Sequence, residues 1–425
     1  MGENGDEMGD IATARLNRAR TARSRRGLFR LPGFKVWSTV VAKTIVRVSY
    51  YGACLFFPVR KTKVTLASYR GARLHGNLRA VYNELQRRKR YELVVLVRKY
   101  QGTFLDKISY VFYMIRAGYH MATSRYFVID DYYFPVYVVK LRRDTEVIQL
   151  WHAAGAFKKF GYSIMGRTVG PTKDYIQRVP IHSNYSAVIV SSTEVISHYA
   201  EAFRMSPDRI LPLGLPRTDK LLNPEQRERA AREFYHAFPD LKDKKLILYA
   251  PTFRGESYNQ SRFQCPIDIG AMHEVLGDEY RLLIHLHPYM RGIDLYGGPV
   301  HRDFVRVNLP GFEIEDLMIV SDCLVTDYSS VIFDYSLLLK PMAFFATDLE
   351  SYTLERDFYY DYRSFIPGPL FSDTYSLGRW IRKGEFRIDV IRAFRDRFFD
   401  TVDGLATQRV LNILEDHGDK FLNEH

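Results

Sequence analysis

Short apolar runs alternating with helix-patterned stretches constrain this chain more than any other feature. Val64–Ser68, Glu92–Val97, Tyr126–Ile129, Glu146–Trp151 and Ala187–Ser191 predict strands, with helices over Leu78–Arg90, Phe104–Tyr119 and Glu194–Arg204. A Pro/Gly-bearing link, Leu211–Arg217, and a charged helix, Pro224–Phe238, interrupt the pattern. It restarts with strands at Lys245–Tyr249, Tyr280–Leu286, Cys323–Thr326 and Met342–Phe345. Two helices, near Asp389–Phe399 and Ala406–Glu415, close the chain. Alternation of this kind is the signature of βαβ units, hence of doubly wound parallel sheets.

The chain has 425 residues, 46% of them apolar, which is enough for two domains with substantial cores. The expected architecture is α/β and GT-B-like, with two Rossmann-like halves facing a cleft. The N-terminal half is placed at 61–222 and the C-terminal half at 223–425. Cys54, Cys265 and Cys323 are odd in number and far apart, which implies a reducing compartment and no disulfide framework.

The net charge of +12 is confined to one end. Residues 1–10 carry four acids and no base, while residues 11–83 hold sixteen Lys or Arg and no acid. Residues 1–35 read as a disordered Arg-rich tail. Residues 36–60 are mostly apolar, with Lys43 and Arg47 one helical turn apart and Trp37, Val41, Ile45, Val48 and Leu55 near the opposite face. Two central charges would each cost about 2.5–3.5 kcal/mol in a spanning helix. The pattern suits an amphipathic helix lying in an anionic membrane surface. Nucleic-acid binding is the rival reading of the Arg run, but no base-stacking or groove-reading motif accompanies it.

Polar residues recur just after the predicted strands, where open α/β sheets bind ligands. They are Trp151-His152-Ala153-Ala154-Gly155, Ala250-Pro251-Thr252-Phe253-Arg254, His285-Leu286-His287-Pro288 and Thr326-Asp327-Tyr328-Ser329-Ser330. The last of these leads into an apolar-periodic helix and offers hydroxyls and backbone N–H groups to a phosphate. An ordinary helix cap would use the same residues. His285-x-His287 has the look of a metal pair, but alternating strand side chains and the lack of a nearby carboxylate weigh against a metal.

Taken together, these motifs resemble the CDP-glycerol glycerophosphotransferase family of teichoic-acid synthesis. The resemblance runs from about 150 to 370. It rests on the Trp151–Gly161 stretch, Gly214-Leu215-Pro216-Arg217-Thr218-Asp219, Leu248–Arg254 and His287-Pro288. Further along it rests on Ser321-Asp322, the 326–330 turn, Phe333-Asp334, Lys340-Pro341 and Pro367-Gly368-Pro369.

The resemblance implies transfer of glycerol phosphate or ribitol phosphate from a CDP-activated donor to a hydroxyl of a lipid-linked saccharide, releasing CMP, with no cofactor. The reaction would run at the cytoplasmic membrane face. The N-terminal half would then take the acceptor and the C-terminal half the CDP donor. It further implies that His152 is the general base and that His287 neutralises the pyrophosphate or the departing CMP. Trp151, Ala153, Ala154, Gly155, Arg217, Pro251, Thr252, Arg254, His285, Leu286, Thr326, Ser329, Ser330 and Asp334 would line the donor pocket. Two departures stand out. The chain has Trp-His-Ala-Ala-Gly where many polymerising members have Trp-His-Gly-Thr-Pro, and His285 where many have Arg. A nucleotide-sugar glycosyltransferase of the same architecture is the alternative. It would need an acidic ribose-binding signature in the C-terminal half, and the sequence offers none.

Overall fold

The computed structural model describes residues 32–98, 104–167, 170–252, 261–286, 290–293, 295, 301–355 and 357–422. The Arg-rich stretch up to residue 31, together with Arg254 and His287, lies outside them.

In the N-terminal half, α1 (Pro32–Phe56) leads into β1 (Arg60–Ser68), α2 (Gly76–Arg88) and β2 (Glu92–Val97). Next come α3 (Phe104–Thr123), β3 (Ser124–Ile129), β4 (Glu146–Gln149), β5 (Ala187–Ile189), α4 (Ile196–Phe203) and β6 (Ile210–Leu211). The six strands form one all-parallel sheet in the order β2-β1-β3-β4-β5-β6. β3 is buried at all six positions, as helices over both faces require.

Helix α5 (Pro224–Ala237), capped by the Asn223 side chain, opens the second half. There follow β7 (Lys245–Ala250), β8 (Ser261–Gln264), β9 (Tyr280–Ile284), β10 (Met290–Ile293), β11 (Val305–Val307), α6 (Ile314–Val320) and β12 (Cys323–Thr326). The chain ends through α7 (Val331–Ser336), β13 (Met342–Phe345), β14 (Leu370–Phe371), α8 (Thr374–Lys383), α9 (Ile388–Phe398) and α10 (Ala406–Leu422). The second parallel sheet runs β11-β9-β7-β12-β13-β14, and β8 pairs with β10 in a separate ribbon.

The halves share one core cluster, and a second cluster lies wholly within the C-terminal half. An aromatic cluster built on Phe157, Phe333, Phe358, Phe365, Phe394 and Phe398 crosses the seam. A backbone bridge joins Lys158 to Phe358. The chain end returns to the first half: Tyr126 donates to Leu414 O (2.6 Å), Arg88 pairs with Glu415 (2.6 Å), and Asp219 caps α10 through Ala406 N and Thr407 N.

Helix α1 packs on α3 so closely that a Cβ on Gly118 would stand 2.9 Å from Ser49. Val46 and Tyr50 are fully buried there. Among the described residues no helix is long and apolar enough to cross a membrane.

Candidate active site

The first strand-end motif begins with a strained residue. Trp151 has φ of 50°, in the left-handed region where a bulky side chain is a true outlier. Three sets of contacts hold it there. Its N–H donates to Gln149 Oε1 (2.9 Å), and Asn77 Nδ2 donates to Leu150 O (3.3 Å) and Trp151 O (2.9 Å). The indole stacks on Phe160 (5.1 Å) and on the His152 ring (4.5 Å). Strain of this sort costs of order 1–3 kcal/mol and persists only where the surroundings over-determine it. Its consequence here is the direction in which His152 leaves the strand.

His152 stands beside groups from three other segments. Its Nδ1 lies 3.4 Å from Asp130 O and 3.7 Å from Asp131 Oδ2. Asp131 Oδ2 also faces Arg70 Nη1 at 3.4 Å. Burial, with Arg70 next, pushes the imidazole pKa down to about 3, and Asp131 acts against that. The ring is therefore neutral at physiological pH, with a lone pair for a proton. Burial alone would raise the Asp131 carboxyl, but His152 and Arg70 hold it below the usual range. Burial pushes the neighbouring Asp130 up to about 7, and its Oδ1 has no partner among the described residues. His75, at the start of α2, also has its pKa lowered by burial and then by Arg70.

The rest of the motif forms the seam. Ala153 O accepts from Tyr199 (3.1 Å), and Ala154 O accepts from Ser191. A Cβ on Gly155 would fall 2.1 Å from the Phe333 ring, so only glycine lets the loop meet α7. One residue further, Asp334 is gripped by Arg217 in a fork (Nη2–Oδ2 2.6 Å, Nε–Oδ1 3.2 Å). Arg217 N in turn donates to Asn77 Oδ1 (3.0 Å). One buried asparagine thus ties the His152 loop to an ion pair that reaches across the cleft.

In the C-terminal half the turn after β12 divides its tasks. Thr326 spends its hydroxyl on Ala250 O (2.7 Å). Asp327 Oδ1 accepts from Thr252 N (2.8 Å) and Tyr328 N (2.6 Å), locking the ends of β7 and β12 together. Among the described residues, Ser329 Oγ makes only a long contact with Val331 N (3.4 Å), and the Ser330 hydroxyl caps nothing. Pro251 and Thr252 are buried beside this turn. His285 N donates to Tyr249 O (2.9 Å), and Leu286 N to Asn308 Oδ1 (2.9 Å). Burial lowers the His285 pKa, so the ring is neutral near pH 7. Lys340 donates to Ile319 O and Ser321 O (both 2.7 Å), closing the C-terminus of α6.

The structure therefore gathers His152, Gly155, Arg217 and Asp334 at one seam and leaves Ser329 and Ser330 with little structural employment. Arg70, His75, Asn77, Asp130 and Asp131 join them without having been expected from the sequence. Among the described residues no group of three or more His, Cys, Asp or Glu could hold a metal ion.

Two doubly wound halves, each built on a six-stranded parallel sheet, define a GT-B-like α/β fold. The family model for CDP-glycerol:poly(glycerophosphate) glycerophosphotransferase matches residues 49–416, and the chain belongs to that family. It is 42% identical to a teichoic acid ribitol-phosphate primase of Bacillus spizizenii, over 89% of this chain and 97% of that one. It is 37% identical to a teichoic acid poly(ribitol-phosphate) polymerase of the same organism, over 85% of this chain but only 57% of the relative. The wall teichoic acid polymerase TagF superposes with a TM-score of 0.73 at 24% identity, covering 91% of this chain and 96% of that one. The chain is thus a CDP-polyol phosphotransferase of teichoic-acid synthesis.

Proposed function

We propose that the enzyme transfers ribitol phosphate from CDP-ribitol, or glycerol phosphate from CDP-glycerol, to a hydroxyl of a lipid-linked saccharide at the cytoplasmic membrane face. Likeness to a ribitol-phosphate primase along 97% of its length favours CDP-ribitol. The acceptor oxygen attacks the phosphorus that bears the polyol, the bond to CMP breaks, and His152 takes the acceptor's proton. The observation that carries this reading is the neutral His152, held at the end of β4 with its Nδ1 face against acceptors only. With Nδ1 turned towards acceptors, the neutral ring presents Nε2 as the lone pair that can take the acceptor's proton.

In this reading Ser329 and Ser330 hold donor phosphate oxygens, with Thr326 and Asp327 shaping the turn beneath them. Pro251, Thr252, Arg254, His285 and Leu286 line the pocket, and His287 balances the charge on CMP. Trp151, Ala153, Ala154 and Gly155 shape the wall opposite, and the Arg217–Asp334 pair holds that wall to α7. Phosphoryl transfer needs positioning and charge stabilisation more than covalent help, and the described site offers mainly the former.

The test is to incubate the full chain with CDP-ribitol or CDP-glycerol and a panel of lipid-linked disaccharides, then follow CMP release and product length. Wild type should release CMP with one of the two donors. His152→Ala should lower kcat by about 10²–10⁴, the usual worth of a positioned base, with donor affinity near wild type. CMP release from neither donor, or turnover of a nucleotide sugar instead, would overturn the reading.

A further inference from the structure

The groups around the His152 ring come from several elements. Arg70 follows β1, Asp130 and Asp131 follow β3, and Arg217 precedes α5, while His75 ahead of α2 and His182 ahead of β5 face Asp131. Of these, only acceptor oxygens face Nδ1: the Asp130 carbonyl at 3.4 Å and the Asp131 carboxylate at 3.7 Å. A ring nitrogen that faces two acceptors carries the hydrogen, which leaves Nε2 as the nitrogen with the lone pair.

Asp131 is itself held on every side. Its Oδ1 accepts from Tyr132 N (2.6 Å), and its backbone O accepts from Gln149 Nε2 (3.0 Å). The same Gln149 receives the Trp151 N–H, so one side chain holds both the Asp131 backbone and the strained residue before His152. Oδ2 is the oxygen left for His152, and it is the one Arg70 shares.

We propose that Asp131 is the positioning residue of this site. Its carboxylate, with Asp130 O, fixes the Nδ1–H form of His152 and steadies the imidazolium formed when Nε2 takes the acceptor's proton. Arg70 competes for the same oxygen and so restrains the base. A donor phosphate that drew Arg70 away would release Asp131 wholly to His152, making the base strongest when the donor is in place. This rests on the reading of His152 as the base.

The experiment uses the full chain with ¹⁵N-labelled histidine, the His152 resonances being assigned by their loss in His152→Gln. At pH 7 wild type should show the Nδ1–H tautomer. Arg70→Gln should raise the pH at which His152 titrates by one unit or more, and adding Asp131→Asn should reverse that rise. Opposite signs from two neighbours of one ring are what a merely structural role would not produce. Asn keeps the bond from Tyr132 N and leaves Asp130 O to accept from Nδ1–H, so the fold should survive while the carboxylate oxygen facing His152, and its charge, are removed. Asp131→Asn should then lower kcat at saturating donor by about tenfold or more, a part of what a general base supplies, with CDP-donor Kd unchanged.

An Nε2–H tautomer in wild type would overturn the proposal. So would an Asp131→Asn enzyme with wild-type kcat and no reversal of the Arg70→Gln shift. If His152→Ala lost turnover while Asp131→Asn did not, only the proposal would fall. If His152→Ala kept turnover, the base reading would fall and the proposal with it.

Discussion

Lys63 shows how a single side chain in this chain can work against the fold. It is fully buried in β1, donating to Thr123 Oγ1 (2.6 Å) beneath the Tyr119 ring. Burial, then Arg60, pushes its pKa down to about 8 from 10.5, with Glu92 opposing. The folded pKa lies below the unfolded one, so between pH 8 and 10.5 the unfolded chain binds more protons. Stability from this group therefore rises with pH through that window, and below it the buried ammonium is a standing cost. Thr123 keeps its own bond to Tyr119 O (2.9 Å) without the lysine. Lys63→Met should accordingly raise Tm by a few degrees at pH 7, with the advantage over wild type shrinking towards pH 10. Paired melting curves across that range check it, and a Tm below wild type at pH 7 would defeat it. The same scale explains what the sequence did and did not disclose around His152. His152 could be read because it follows an apolar run directly. Asp130 and Asp131 follow Tyr126–Ile129 in the same way and carried the same signal. Arg70, His75 and Asn77 carried none, because only the parallel order β1-β3-β4 and the packing of α2 bring them to the ring.

At the scale of elements, β1, β2, β3, β7 and β9 and the helices α2, α3, α5, α9 and α10 were legible in their apolar patterns, whereas the ten-residue α8 was not expected. β6 and β14 have two residues each, too short for any periodicity to register, and the three-residue β11 was also not expected, whereas the equally short β5 was expected within the longer apolar run Ala187–Ser191. The turn after β12 was legible as polar residues at a strand end, but not in how it divides its work. Asp327 ties two strand ends through charge-assisted bonds to backbone N–H groups, whereas Ser329 and Ser330 bear little of the structure. The turn should therefore separate under mutation. Asp327→Ala removes two bonds worth roughly 1.5–3 kcal/mol each and should lower Tm by several degrees. Ser329→Ala with Ser330→Ala should cost less than the ~1 kcal/mol of an ordinary cap while weakening CDP-donor binding at least tenfold. Calorimetric titration beside thermal melting distinguishes the two. A double variant that binds donor as wild type does would return both serines to plain turn chemistry.

At the scale of the molecule, one face is left apolar. Helix α1 packs its Val46 and Tyr50 into the core and ties itself down through Lys43 Nζ to Arg178 O (2.8 Å) and Arg47 Nε to Val138 O (2.6 Å). Its other side is bare: Val48 is 68% exposed, Leu55 81% and Phe56 79%. The adjoining α3 continues the patch with Phe112 at 64% and Ile115 at 43%. Arg47, Lys61 and Arg116 are exposed, and no acid occurs between residues 11 and 83. Apolar side chains entering a lipid interface contribute about 1.5–3 kcal/mol each when fully buried. Each nearby base adds about 1 kcal/mol on an anionic surface. The expected outcome is binding to vesicles containing anionic lipid and weaker binding to neutral ones, with added salt removing only the charged share. Deleting α1 would be a poor test, since Val46 and Tyr50 would leave the core with it. Val48→Asp, Leu55→Asp and Phe112→Asp together touch only exposed positions and should leave Tm within a few degrees of wild type. The triple variant should lose at least a hundredfold in vesicle affinity, measured by sedimentation, and keep its turnover of a short-chain soluble acceptor. Undiminished vesicle binding by a folded triple variant would show that this face does not meet the membrane.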